Sequence, residues 1–100
     1  MTHADPNEVV RAHVWVTGRV QNVGFRAFVQ QSGAMLRLTG WVRNVGYDQV
    51  ETVAEGPRQT VEKFVLVVRT GPRAAQVDEA RLEWEAPTGE FRDFGVSHTI

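Results

Sequence analysis

The apolar residues of this chain change their spacing from every second position to every third or fourth and back, twice over. That switching of period restricts the fold to interleaved strands and helices. Val10, Ala12, Val14 and Val16 alternate with Arg11, His13, Trp15 and Thr17, which predicts a strand over Val9 to Thr17 with one buried face. Phe25, Phe28, Val29, Ser32 and Leu36 then recur at helical spacing, so a helix is expected from about Gly24 to Arg37. Residues 38–45 and 49–55 read as two antiparallel strands, with Gly46, Tyr47 and Asp48 as a hairpin connection. Gly56 and Pro57 signal a second helix, with the proline in its first turn, where a missing N–H costs little. Val61, Phe64, Val65 and Val68 form the apolar stripe of that helix and Gly71-Pro72 ends it. Val77 to Glu85 returns to alternation, with Ala80, Leu82 and Trp84 on one face and Arg81, Glu83 and Glu85 on the other. Pro87 to Gly89 turn the chain into a last alternating segment, Phe94, Val96, His98 and Ile100, expected as an edge strand.

Strand, helix, strand, strand, helix, strand, with one strand added, favours an α+β fold once crossovers are right-handed and the central pair is a hairpin. The expectation is a ferredoxin-like split βαβ sandwich: a mostly antiparallel sheet, two helices on one face and a C-terminal edge strand. A chain of 100 residues, 42% of them hydrophobic, holds one core and no separate cofactor domain. Residues 9–100 are read as that domain and residues 1–8, MTHADPNE, as a flexible tail. With 11 basic and 12 acidic residues, the chain has no general attraction to nucleic acid or to an anionic membrane, so any anion recognition is local. The absence of cysteine excludes disulfides, thiolate catalysis and cysteine-based metal sites. No secretory pattern opens the sequence, and no stretch approaches the roughly 18 apolar residues of a bilayer span. A soluble, cytoplasmic protein is expected.

The string GRVQNVGFR at 18–26 falls between the first strand and the first helix. Gly18 and Gly24 bracket a turn whose successive N–H groups can converge on an anion, and Asn22 tolerates a positive φ better than most side chains. Arg26, at the start of the helix, can form two parallel charged hydrogen bonds to phosphate oxygens. The second string, GWVRN at 40–44, supplies in Asn44 a neutral polar side chain able to hold a water molecule. Together these residues suggest hydrolysis of a small phosphorylated compound. A nucleotide P-loop is excluded because no Gly-Lys pair exists in the chain. A phosphocysteine route is excluded as well, since Val20 stands six residues before Arg26.

At GRVQNVGFR and GWVRN the chain resembles the acylphosphatase family, whose loop typically reads G-x-V-Q-G-V-G-F-R and whose second motif reads G-W-V-x-N. The likeness continues through Asp48 to Glu51, Glu55-Gly56-Pro57, and Thr88 to Ile100. It implies the same sandwich fold and the hydrolysis of carboxyl phosphates, such as acetyl phosphate, to carboxylate and inorganic phosphate. By motif match, Arg26 binds the phosphoryl group, Asn44 positions the attacking water, and the backbone N–H groups of Gln21, Asn22, Val23, Gly24, Phe25 and Arg26 cradle the phosphate. The expected protein is a monomer acting on a small acyl phosphate without metal or cofactor, with inorganic phosphate as product and inhibitor. Asn22 and Asp48 depart from the family pattern, each standing where glycine is frequent. Both residue types visit the left-handed region, so the backbone path is expected to be kept.

His3, His13 and His98 have no metal-ligand spacing and read as structural or solvated. Trp15, Trp41 and Trp84 read as packed on strands, Trp15 on the face opposite Val14 and Val16, where covering a groove is the other option. Glu79, Glu83 and Glu85 read as a solvated strand face, and Arg69 and Arg73 as cations suited to a helix C-terminus. Two other functions compete with the enzyme. An anion-binding or regulatory module would keep the loop with little turnover. Single-stranded RNA binding shares the element order, but Gln49 to Glu55 carries two glutamates and no aromatic residue for stacking bases.

Overall fold

Strict alternation makes β1 (Val9–Arg19) the spine of the sheet: Val10, Ala12, Val14 and Val16 are all buried on one face. The computed structural model describes residues 5–100, and His3 with the rest of residues 1–4 lies outside the described residues. After β1 come α1 (Phe25–Met35), β2 (Thr39–Val45), β3 (Gln49–Pro57), α2 (Arg58–Thr70), β4 (Gln76–Glu85) and β5 (Phe94–Val96). The five strands are ordered β4-β1-β3-β2-β5. Every pairing is antiparallel except that of β2 with β5. Phe25 and Val29 of α1 and Val61, Phe64, Val65 and Val68 of α2 close one core over the valine face, the expected ferredoxin-like arrangement.

The element ends differ from expectation for local reasons. Helix α1 stops at Met35 rather than Arg37, because Arg37 takes a left-handed φ of 58° and the Leu38 N–H returns to Gly33 O at 2.9 Å. No glycine marks this stop, so no local signal announces it. Pro57 is not in the helix but ends β3 opposite Val9, and its φ of −58° and ψ of 137° suit both the ring and an extended exit. The first amides of α2 are met by backbone: Arg58 N–H donates to Glu8 O and Gln59 N–H to Pro6 O. Residues 6 to 8 of the segment read as a tail therefore lie against the start of α2. Strand β5 covers only Phe94 to Val96. Beyond it, Ser97 N–H still donates to Val42 O and Ile100 N–H to Asn44 O, outside regular strand geometry.

The opposite face of the sheet carries polar cross-strand contacts that alternation alone does not disclose. His13 lies between Glu51 and Glu85, its Nε2 2.6 Å from one carboxylate and its Nδ1 2.7 Å from the other. It also stacks on Trp15 at 3.8 Å between ring centroids. Arg43 donates to Glu51 at 2.7 Å, and Arg11 pairs with Glu85 at 3.1 Å. Glu85 is thus a pairing residue and not part of a solvated row. The link from β4 to β5 runs between opposite edges of the sheet, and the buried Glu55 carboxylate pins it by accepting the Thr88 and Gly89 N–H groups at 2.9 and 3.0 Å. Trp15 lines a groove of about 250 Å³ on this face, with the Arg81 guanidinium 4.0 Å from its ring centroid.

Helix α1 approaches the sheet edge closely at Gly33, where an added Cβ would lie 2.4 Å from the Phe94 ring. Gly33→Ala is therefore expected to lower unfolding free energy by about 1–3 kcal/mol, as overpacking of a core contact does. Urea unfolding of the two proteins measures it.

Candidate active site

Strand β1 ends at Arg19 and α1 begins at Phe25, so the chain turns from strand to helix in five residues. Two residues of that turn have positive φ: Asn22 at 61° and Gly24 at 77°. Left-handed residues in such a turn allow consecutive N–H groups to converge on one concavity, as in an anion nest. Gly24 is the N-cap of α1, no side chain caps the helix, and no acidic residue occupies its first turn. The first amides of α1 and the positive end of its dipole are thus left for an outside acceptor. An added Cβ at Gly24 would touch nothing within 4 Å, so it is the backbone conformation that favours glycine there. Asn22 keeps the expected path. Asp48 does not take a left-handed φ; Gly46, at 58°, supplies the hairpin's reversal, and the Asp48 carbonyl accepts the Gly18 N–H at 2.9 Å.

Asn44 comes from β2, where it pairs with Val50 and sits on the helix-covered face two residues after Val42. Only 8% of it is exposed, yet its Oδ1 has no hydrogen-bond partner. A buried amide oxygen left unpaired costs about 1–3 kcal/mol, a cost that structures tolerate mainly where a ligand or water is to be held.

The two motifs meet in one pocket of about 340 Å³ lined by Val20, Asn22, Gly24, Phe25, Arg26, Ala27, Asn44 and Val96. Gln21 explains how they meet. Its side-chain Nε2 donates to the carbonyls of Val45, Gly46 and Gln49 at 3.3, 3.1 and 3.0 Å, tying the loop to the hairpin that follows Asn44. Phe25 is 1% exposed and anchors the helix start in the core, so Arg26 next to it is directed to the pocket. The Arg26 Nη1 makes one long contact, 3.5 Å to Thr99 Oγ1, and no ion pair among the described residues. Its positive charge is uncommitted to any carboxylate.

Of the residues read from the sequence, Asn22, Gly24, Phe25, Arg26 and Asn44 line the pocket, while Gln21 and Val23 do not. The Gln21 side chain serves as the tie just described, and that of Val23 packs against the core. Sequence reading missed Val20, Ala27, Val96 and Thr99. Val96 was legible as a member of the last alternating segment, but nothing local shows that this strand runs parallel beside β2. His13 is engaged on the opposite face of the sheet, and His98 is exposed outside the pocket lining.

The family model of acylphosphatases matches residues 12–96. An acylphosphatase of Chloroflexus aurantiacus is 43% identical over 89 residues, which is 89% of this chain and 97% of that protein. One from a Nostoc species is 46% identical over 94 residues, covering 94% of this chain and 92% of the relative. Among solved structures, an acylphosphatase from Coxiella burnetii superposes with a TM-score of 0.84 at 35% identity, over 97% of this chain and all of that one.

Because Asn22 holds a left-handed φ inside the loop, Asn22→Val is expected to cost roughly 1–2 kcal/mol of stability. It should also weaken inorganic phosphate binding, whereas Asn22→Gly should preserve both. Thermal unfolding with and without phosphate separates the two effects.

Proposed function

The chain belongs to the acylphosphatase family, and we propose from that premise that Arg26 and the loop amides hold the phosphoryl group while Asn44 places the water that attacks it. Hydrolysis of acyl phosphates is the activity of that family and of this chain. The assignment of residues rests on one observation above all. A buried, unpaired Asn44 amide opens into the same pocket as an arginine free of carboxylates and an uncapped helix start.

In the reaction, the water oxygen bonds to phosphorus as the bond from phosphorus to the acyl oxygen breaks, with the two oxygens in line. The acyl oxygen leaves as a carboxylate, which needs little protonation near neutral pH, so no strong general acid is required. The proton released by water passes to a phosphate oxygen of the substrate. Arg26 and the N–H groups from Gln21 to Arg26 stabilise the charge spread over the equatorial oxygens. Asn44 acts by orientation, reducing the entropy lost in bringing water into attack geometry. Inorganic phosphate, the product, fits the same cradle. We read the protein as acting as a monomer in the cytoplasm, which its cysteine-free composition suits.

Steady-state hydrolysis of acetyl phosphate tests the division of roles. Arg26→Ala should raise KM and lower kcat, the latter by about a hundred- to a thousand-fold, as loss of a preorganised donor does. Asn44→Ala should lower kcat by a similar order while leaving KM and phosphate inhibition close to the parent values. Inorganic phosphate should inhibit competitively. Undiminished turnover in either variant would remove that residue from the mechanism, and phosphate binding without turnover by the unmodified protein would favour an anion-binding module.

A further inference from the structure

The pocket has a buried side and an open side, and they differ in chemistry. Asn44, Val20 and Phe25 line it from positions at most 8% exposed, whereas Ala27, in the first turn of α1, and Val96, at the end of β5, line it while remaining exposed. In-line attack places water and leaving oxygen on opposite sides of phosphorus. With water on the buried side at Asn44, the leaving acyl group lies toward the open side. There the exposed lining consists of the Ala27 and Val96 side chains with the neutral Asn22 and Gly24.

We propose that Val96 and Ala27 form the subsite for the acyl group and select uncharged, apolar acyl phosphates against those carrying a second carboxylate. This rests on the assignment of Arg26 and Asn44 above. Val96 reaches the rim because β5 pairs parallel to β2, Val96 opposite Val42, which sets it on the same sheet face as Asn44 and one strand outward. Its side chain is not committed to the core: the residue is 54% exposed, whereas Phe94, two positions earlier, is 5% exposed. Among the described residues Arg26 is the only cation lining the pocket, and it is occupied by the phosphoryl group. A second carboxylate on the acyl part therefore loses hydration beside two apolar side chains and gains no partner. An apolar acyl part covers Val96 and Ala27 and is favoured by the surface removed from water.

Benzoyl phosphate and 4-carboxybenzoyl phosphate differ only in the distal carboxylate, so the ratio of their kcat/KM values cancels whatever a mutation does to the phosphoryl site. The unmodified protein should prefer benzoyl phosphate by about tenfold, the order expected when a buried or half-buried contact is lost. Val96→Lys should bring the ratio toward one and Val96→Asp should raise it, each by about two- to fivefold as expected of a partly exposed charge pair. Ala27→Lys should act in the same sense as Val96→Lys. Inhibition by inorganic phosphate and the thermal midpoint provide controls for the phosphoryl site and the fold. A ratio unmoved by Val96→Lys, Val96→Asp and Ala27→Lys, in folded proteins that still bind phosphate, overturns the acyl subsite and leaves the phosphoryl site standing. Failure of the unmodified protein to hydrolyse either acyl phosphate overturns the underlying assignment instead.

Discussion

One side chain joins the two halves of the site. The Gln21 amide is shared among the carbonyls of Val45, Gly46 and Gln49, three acceptors left where the β2–β3 hairpin reverses. Without that tie the loop from Val20 to Gly24 is a surface turn between a strand and a helix, and Asn44 is a buried polar residue on a neighbouring strand. With it, the loop's path is referred to the end of the hairpin, and the geometry proposed for catalysis inherits the rigidity of the three central strands. The register supports the same link, since Thr17 and Val45 both pair with Gln49 from opposite sides. Preorganisation of this kind reduces what must be ordered when substrate binds.

The sheet also separates two kinds of electrostatics. On the helix-covered face, the site keeps a single arginine without a carboxylate partner, together with the uncapped amides of α1. On the other face, Arg11, His13 and Arg43 are engaged by Glu51, Glu55 and Glu85, so those side chains offer little to a passing anion. Near-zero net charge is thus compatible with strong local anion recognition, because the compensation of charge is spatially sorted.

Much of this was legible in the sequence, and the reasons differ by element. Alternating valines in β1 and the helical stripes fixed element types because each period allows only one buried face. The paired motifs named Arg26 and Asn44. What escaped was whatever depends on partners remote in sequence. Arg37 ends α1 without a glycine, Pro57 belongs to β3 because Val9 pairs with it, and Val96 reaches the pocket only through a parallel ladder with β2. His13 and Glu85 were assigned to the right face, but their contact across β1 and β4 is a matter of register that no local pattern carries. Asn22 was the opposite case: its tolerance of a positive φ, together with the glycine frequent at that place in the family loop, pointed to the left-handed φ that the loop adopts.

In the proposed mechanism one concavity, made of loop amides, Arg26 and Asn44, receives the phosphoryl group. Titration of the isotopically labelled protein with inorganic phosphate, followed by NMR, examines it directly. Saturable shifts should concentrate on the backbone amides of Asn22 to Arg26, the Arg26 guanidinium and the Asn44 side-chain amide. Shifts centred on the opposite face around His13, Trp15 and Arg81, or no saturable response in the loop, would contradict it.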